Sequence, residues 1–395
     1  MTETDDAPAA PPVDPALFDR VRAKLESAGP LPAVQDLCDE LEKAGDYSNL
    51  FYALLMKKRV ELGVPPFPTG SSTELPAGTH DDYEEAIRLA GRRVGEALLG
   101  LGEIPKAWSY YRMLGEPGPV KDALTAYQPG PETDIYPIVE VAWQHAVHPE
   151  KGFDLILDRH GVCSAITMSH SSDLSANPPL REYCIKRLVR ALHEQLLERL
   201  RGDLEGRGVT PLEGASVARI VTGHPELFAD DVYHIDVSHL SSVVQMALHL
   251  PKGPELDLAR ELCLYGEKLS ANLRGDSEPP FENTYADYKA YLDVIAGENV
   301  EAGLAHFREK IAPALADFNT NPAEVLVNLL LKLDRVPDAL AVAKEHLSGP
   351  EDRQLSCPGV SDLARRVGDY DALAEASKAK ADPVNYLAGL IAARK

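Results

Sequence analysis

The chain has 395 residues, 44% hydrophobic and 26% charged, with 40 Lys and Arg against 62 Asp and Glu for a formal net charge of −22. That balance repels phosphate backbones and anionic lipid surfaces, so neither nucleic-acid nor membrane binding is expected. The five cysteines are odd in number, far apart and without a C-x-x-C pair, which speaks against a disulfide framework and fits reduced thiols in a cytoplasmic compartment.

The opening residues, "MTETDDAPAAPPVDPALF", are acidic and proline-rich. They lack the basic stretch and apolar core of a signal peptide, and residues 1–15 read as a disordered leader. No later run approaches the length of apolar sequence that spans a bilayer. Strand-like alternation is scarce. Helical periodicity recurs instead, broken by turns such as "VPPFPTGSSTELPAGTHDD" (64–82), "GEPGP" (115–119) and "QPGPETD" (128–134), which predicts an all-α chain.

Residues 16–129 contain the first copies of an internal repeat. "ALLGLGEIPKAWSYY" has Gly102 followed five residues later by Ala107, and "EKAGDYSNLFYALL" has Gly45 with Leu50 at that offset. The glycine permits a tight turn between antiparallel helices, and the small residue lets the second helix approach the first.

The central region, 130–284, lacks this period but holds nine of the twelve histidines. In "DIYPIVEVAWQHAVHPE", helical spacing puts Ile138, Val141, Ala142, His145 and His148 on one face, and "FDLILDRH" repeats that phase from Phe153 to His160. These histidines are expected on buried faces, either as hydrogen-bonded core residues or as the lining of one cavity. Residues 161–180, Ser/Thr-rich and ending in prolines, read as a binding or lid loop. "REYCIKRLVRALHEQLLERLRGDLEG" follows as an amphipathic helix with Ile185, Leu188, Leu192, Leu196, Leu200 and Leu204 inward.

"DDVYHIDVSHLSSVVQMALHL" (230–250) reads as one helix capped by Asp230 or Asp231. On one helix His234 and His239 diverge by roughly 140° and cannot share an ion, whereas Asp236 and His239 can. An extended 232–237 would instead put His234 and Asp236 on one face. Sharper motifs fail: "HEQLL" (193–197) lacks the second histidine of a zinc-protease helix, "GASVA" (214–218) lacks the closing glycine of a nucleophile elbow, and no phosphate-binding glycine loop is present.

Residues 285–395 return to the repeat, with Gly297 and Ala302, Asp334 and Ala339, and Gly368 and Leu373, the anchors lying 37 and 34 residues apart. Between Leu89 and Pro119, the residues Gly95, Leu98, Gly102, Ala107, Tyr111 and Pro119 resemble a tetratricopeptide repeat, although Gly91 stands where that family keeps an early aromatic. The resemblance covers about half the chain, at both ends, in degenerate form. It implies helix pairs stacked into a superhelix whose concave surface binds a peptide or protein.

Two functions follow. The first is an interaction protein taking a peptide or protein partner, basic in view of the acidic chain. The second is a metal-dependent hydrolase or oxidase whose central helices gather His145, His148, His160, Asp236 and His239 around a divalent zinc, iron, nickel or manganese ion.

Overall fold

A computed structural model describes residues 15–69, 75–76, 78–210, 212, 214–348 and 355–394. Among these residues there is no strand, so the all-α expectation holds, and no helix is long and apolar enough to cross a membrane. The leader falls outside the described residues apart from Pro15, which starts the first helix. The chain divides into two compact units between Ile156 and Leu157.

The first unit contains α1 (Pro15–Ala28), α2 (Pro30–Ala44), α3 (Tyr47–Glu61), α4 (His80–Gly100), α5 (Ile104–Leu114), α6 (Gly118–Ala126) and the single turn α7 (Tyr136–Val139). Successive helices from α1 to α6 pack on one another. Gly45 and Gly102 both take positive φ, 71° and 76°, in the turns between α2 and α3 and between α4 and α5. The residue at the expected offset is buried in each case, Leu50 and Ala107 both at 0% exposure. Gly95 serves a close approach within the helix pair. A Cβ there would stand 2.7 Å from Cε2 of the buried Tyr111 ring, so α4 and α5 can close around that ring only without a side chain.

Helix α8 (Pro149–His170) crosses the division and is broken at Gly161, whose φ of 76° and ψ of −174° are not helical. Helix therefore occupies 162–170, and only residues 171–177, with a short 3-10 turn at Leu174–Ala176, connect α8 to the next helix. The loop expected at 161–180 is thus much shorter, because a second helical stretch resumes directly after the kink at Gly161.

In the second unit, α9 (Pro178–Gly206) is the predicted amphipathic helix, and all six of its expected inward residues are buried. Then come α10 (Val217–Gly223), α11 (Val237–Ala247), α12 (Pro254–Lys268) and the short α13 (Ala271–Arg274). The C-terminal array is α14 (Thr284–Ala296), α15 (Val300–Glu309), α16 (Ile311–Ala316), α17 (Asn321–Lys332), α18 (Val336–His346), α19 (Val360–Val367), α20 (Tyr370–Ala379) and α21 (Pro383–Ala392). Three pairs within it, α14 with α15, α17 with α18 and α19 with α20, turn at Gly297, Asp334 and Gly368, which have φ of 86°, 59° and 78°.

Ala339 and Leu373 are buried as the spacing predicts, but Ala302 is exposed. The α14–α15 turn is one residue longer than the others, placing the N-cap at Asn299 where Gly102, Asp334 and Gly368 are each followed directly by theirs. The close approach therefore shifts to Gly303, where a side chain would run into Val294.

Gly266 of α12 likewise lies flat under Tyr285 of α14, leaving no room for a methyl group, whereas Gly202 of α9 has open space around it. Gly266→Ala should therefore lower the unfolding free energy by about 1–3 kcal/mol, since overpacking forces ring and backbone to move. Gly202→Ala should raise it by about 0.5–1 kcal/mol by restricting the unfolded chain. Urea denaturation of both variants checks the opposite signs.

Candidate functional site

Among the described residues, no three His, Cys, Asp or Glu side chains gather closely enough to hold a metal ion. The sequence candidates occupy separate local settings. The helical phase that was to align His145 with His148 is lost, since α7 gives way to a π turn at Glu140–Gln144 and the chain reverses at Ala146, φ 53°. Ile138, Val141 and Ala142 are buried as expected, but His145 is exposed, with its ring 5.9 Å from that of Trp108. His148 precedes the proline that starts α8, and its Nδ1 lies 3.3 Å from the Glu150 carboxylate. His160 is exposed beside the break at Gly161.

The segment around Asp236 is not one helix. A 3-10 turn covers Pro225–Asp231, residues 232–235 form no helix, and α11 starts at Val237. Neither Asp230 nor Asp231 is its cap. Asp236 is, accepting from the Ser238 and His239 amides at 2.8 and 3.3 Å and from the Ser238 hydroxyl. The side-chain hydrogen bond from Ser238, with these amides, holds the Asp236 pKa below its usual value. A carboxylate already shared among three donors is a helix cap, and the competition between cap positions was decided by this local satisfaction.

Buried polar pairs elsewhere in the second unit are built to fasten helices. His234, with its side chain 5% exposed, sits between α9 and α12: Nε2 is 3.2 Å from Asp203 and Nδ1 3.3 Å from the Tyr265 hydroxyl. The backbone N–H of His234 also donates to that hydroxyl at 2.7 Å. Asp203 is gripped from the other side by Arg207. His193 of α9 meets Glu261 of α12 at 2.7 Å. Asp287, almost fully buried, takes His306 and Lys310 at 2.7 Å each.

Burial depresses the His234 pKa, and the hydrogen bond that its ring donates to Asp203 offsets only part of that. The folded state therefore holds fewer protons on this ring than the unfolded chain does as pH falls below about 6.5, and stability must fall with it. Thermal midpoints should drop between pH 7 and pH 5, and His234→Gln should flatten that drop whatever its effect at pH 7. An unchanged slope in the variant would place the pH dependence elsewhere.

An apolar recess that the sequence did not announce lies in the first unit. It encloses about 520 Å³ among α1, α2, α3, α4 and the loop after α3. Leu17, Phe18, Leu37, Leu41, Tyr52, Leu55, Met56, Phe67 and Tyr83 make it largely apolar. Phe18, Tyr52 and Phe67 are 68%, 68% and 65% exposed, an unusual grouping of aromatic surface on one rim.

Arg59 builds that rim. Although 3% exposed, it donates from Nε to the Pro65 carbonyl at 2.6 Å and from Nη2 to the Phe67 carbonyl at 3.1 Å. Its guanidinium carbon also stands 5.7 Å from the centre of the Tyr83 ring. A charge that would be costly to bury is satisfied by loop carbonyls and an aromatic face, and it fixes the Phe67 loop against α3 and α4. The only sequence signal is Phe67 set between prolines in "VPPFP", which restricts the backbone around an exposed aromatic.

No family model matches the chain, and no curated protein or solved structure is significantly similar to it.

Proposed function

We propose that the protein is a tetratricopeptide-like helical-repeat interaction protein that binds a peptide segment of a partner in the apolar groove of its first unit. The observation that carries this reading is the groove of about 520 Å³ with Phe18, Tyr52 and Phe67 exposed along its edge. A volume of that size accepts two or three large side chains, and preformed apolar pockets of this kind anchor ligands through a few buried groups.

The repeat reading draws support from the left-handed turn residues and from the Gly95–Tyr111 closure. The occupant is a peptide with aromatic or aliphatic anchors and basic flanking residues. The anchors match the lining, and a net charge of −22 on the chain steers cationic segments toward it. Two of the Arg59 guanidinium donors are already taken by the Pro65 and Phe67 carbonyls.

Selection of the full chain against a displayed random-peptide library tests the proposal. Enriched peptides should combine Phe, Trp, Leu or Met with Lys or Arg. Tyr52→Glu and Phe18→Glu should each weaken a selected peptide at least about tenfold in fluorescence anisotropy, because an anchor loses its apolar seat. Both positions are solvent-exposed, so the thermal midpoint should hold. Lack of enrichment, or affinity indifferent to both substitutions, would defeat the reading.

A further inference from the structure

In the second unit, α21 carries an apolar stripe with nothing packed on it. Its ten residues, PVNYLAGLIA, include no charge. Val384, Leu387 and Ile391 are 75%, 57% and 55% exposed, and Ala388 is exposed beside them. Positions three, four and seven residues on from Val384 share one face of a helix. The other face is tied down: a Cβ on the buried Gly389 would stand 3.0 Å from the Tyr370 carbonyl oxygen, so α21 lies tightly on α20 there. A contiguous apolar stripe on an exposed helix marks a contact surface.

The charges at this helix and at the groove of the first unit are complementary. Arg394, three residues beyond Ile391, is exposed, and among the described residues it forms no ion pair. Phe18 and Tyr83 line the groove; Asp19 follows the first in the chain, and Asp81 and Asp82 precede the second. All three aspartates are exposed, and among the described residues none is in an ion pair. Their neighbours Glu84 and Glu85, by contrast, lie 3.9 Å from Arg88 and Arg92. Unpaired carboxylates beside an apolar recess favour an occupant that sets a cation next to its anchors.

The chain itself carries such a segment. We propose that the groove of one copy receives α21 of a second copy, with Val384, Leu387 and Ile391 as anchors and Arg394 toward the carboxylates beside Phe18 and Tyr83. This rests on the groove being a peptide site and names a partner for it. The recess of about 520 Å³ takes two or three large side chains, the number that the stripe offers. An amphipathic helix laid in an apolar groove through positions i, i+3 and i+7 is a recurring mode of recognition. The contact joins two different surfaces, so a copy that gives its helix keeps a free groove, and assembly extends head to tail. Three aliphatic anchors make a weak contact, formed above about 1 μM.

Sedimentation equilibrium of the full chain between about 1 and 200 μM tests this. The weight-average mass should rise with concentration above the 43.0 kDa of one copy, and a saturating library-selected peptide should return it to that value. Tyr52→Glu and Leu387→Glu should each stay at 43.0 kDa. Mixed in equal amounts they should form pairs and nothing larger, because the first supplies the helix and the second the groove. Both positions are exposed, so the thermal midpoint should hold, and Val384→Glu serves if Leu387→Glu fails to fold. A chain that stays at 43.0 kDa throughout while still binding library peptides overturns this inference and leaves the groove reading standing. Self-association that survives Tyr52→Glu, or a mixture that remains monomeric where the wild type associates, also overturns it. A library that yields no groove-binding peptide defeats both.

Discussion

Reversal of the chain between antiparallel helices is the constraint on which the rest of the molecule depends. Gly45, Gly102, Gly297, Asp334 and Gly368 all turn through positive φ, a region that costs most side chains about 1–2 kcal/mol and glycine almost nothing. Each turn fixes the distance to the first residue of the next helix that faces its partner. Where the turn keeps its length, Leu50, Ala107, Ala339 and Leu373 are buried, and where α14 and α15 gain a residue, the contact passes to Gly303. Helices brought this close need missing side chains at their crossings, as Gly95 under Tyr111 and Gly266 under Tyr285 show.

A stack of pairs also determines where polar chemistry can sit. In the second unit, the buried His193, His234 and Asp287 are all occupied in bonds that join one segment to another. Their arrangement uses ionisable groups as fasteners, each with its partners nearby. In the first unit the apolar groove has the opposite character: exposed aromatics, with one buried cation spent on holding the rim. The exposed apolar surface of this groove is the ground on which peptide binding is proposed.

Much of the helical order was legible in the amino acids, because period and turn chemistry are local. The face of α9 from Ile185 to Leu204 and the turn residues of the repeats could be read directly. Errors arose where two local solutions compete. Asp230, Asp231 and Asp236 are all plausible caps, and the pair of amides that Asp236 satisfies decided between them. The π turn after Val139 reset the helical phase that had put His145 and His148 on a buried face. His160, the last residue before the break at Gly161, is exposed although Phe153, Ile156 and Leu157 are buried as its phase predicts. The groove was not legible beyond the proline-flanked Phe67. It depends on Arg59 reaching carbonyls six and eight residues away and on α1 lying beside α3, and no periodicity reports either.

The central claim is that the first unit receives a peptide between α1, α3, the Phe67 loop and α4. Amide hydrogen exchange of the full chain, with and without a saturating library-selected peptide, tests it most directly. For a chain dilute enough to be a single copy, the account predicts added protection concentrated in residues 15–28, 47–69 and 80–90, with the second unit, residues 157–394, unchanged. Protection appearing elsewhere in the chain while residues 15–28, 47–69 and 80–90 exchange as before would contradict it.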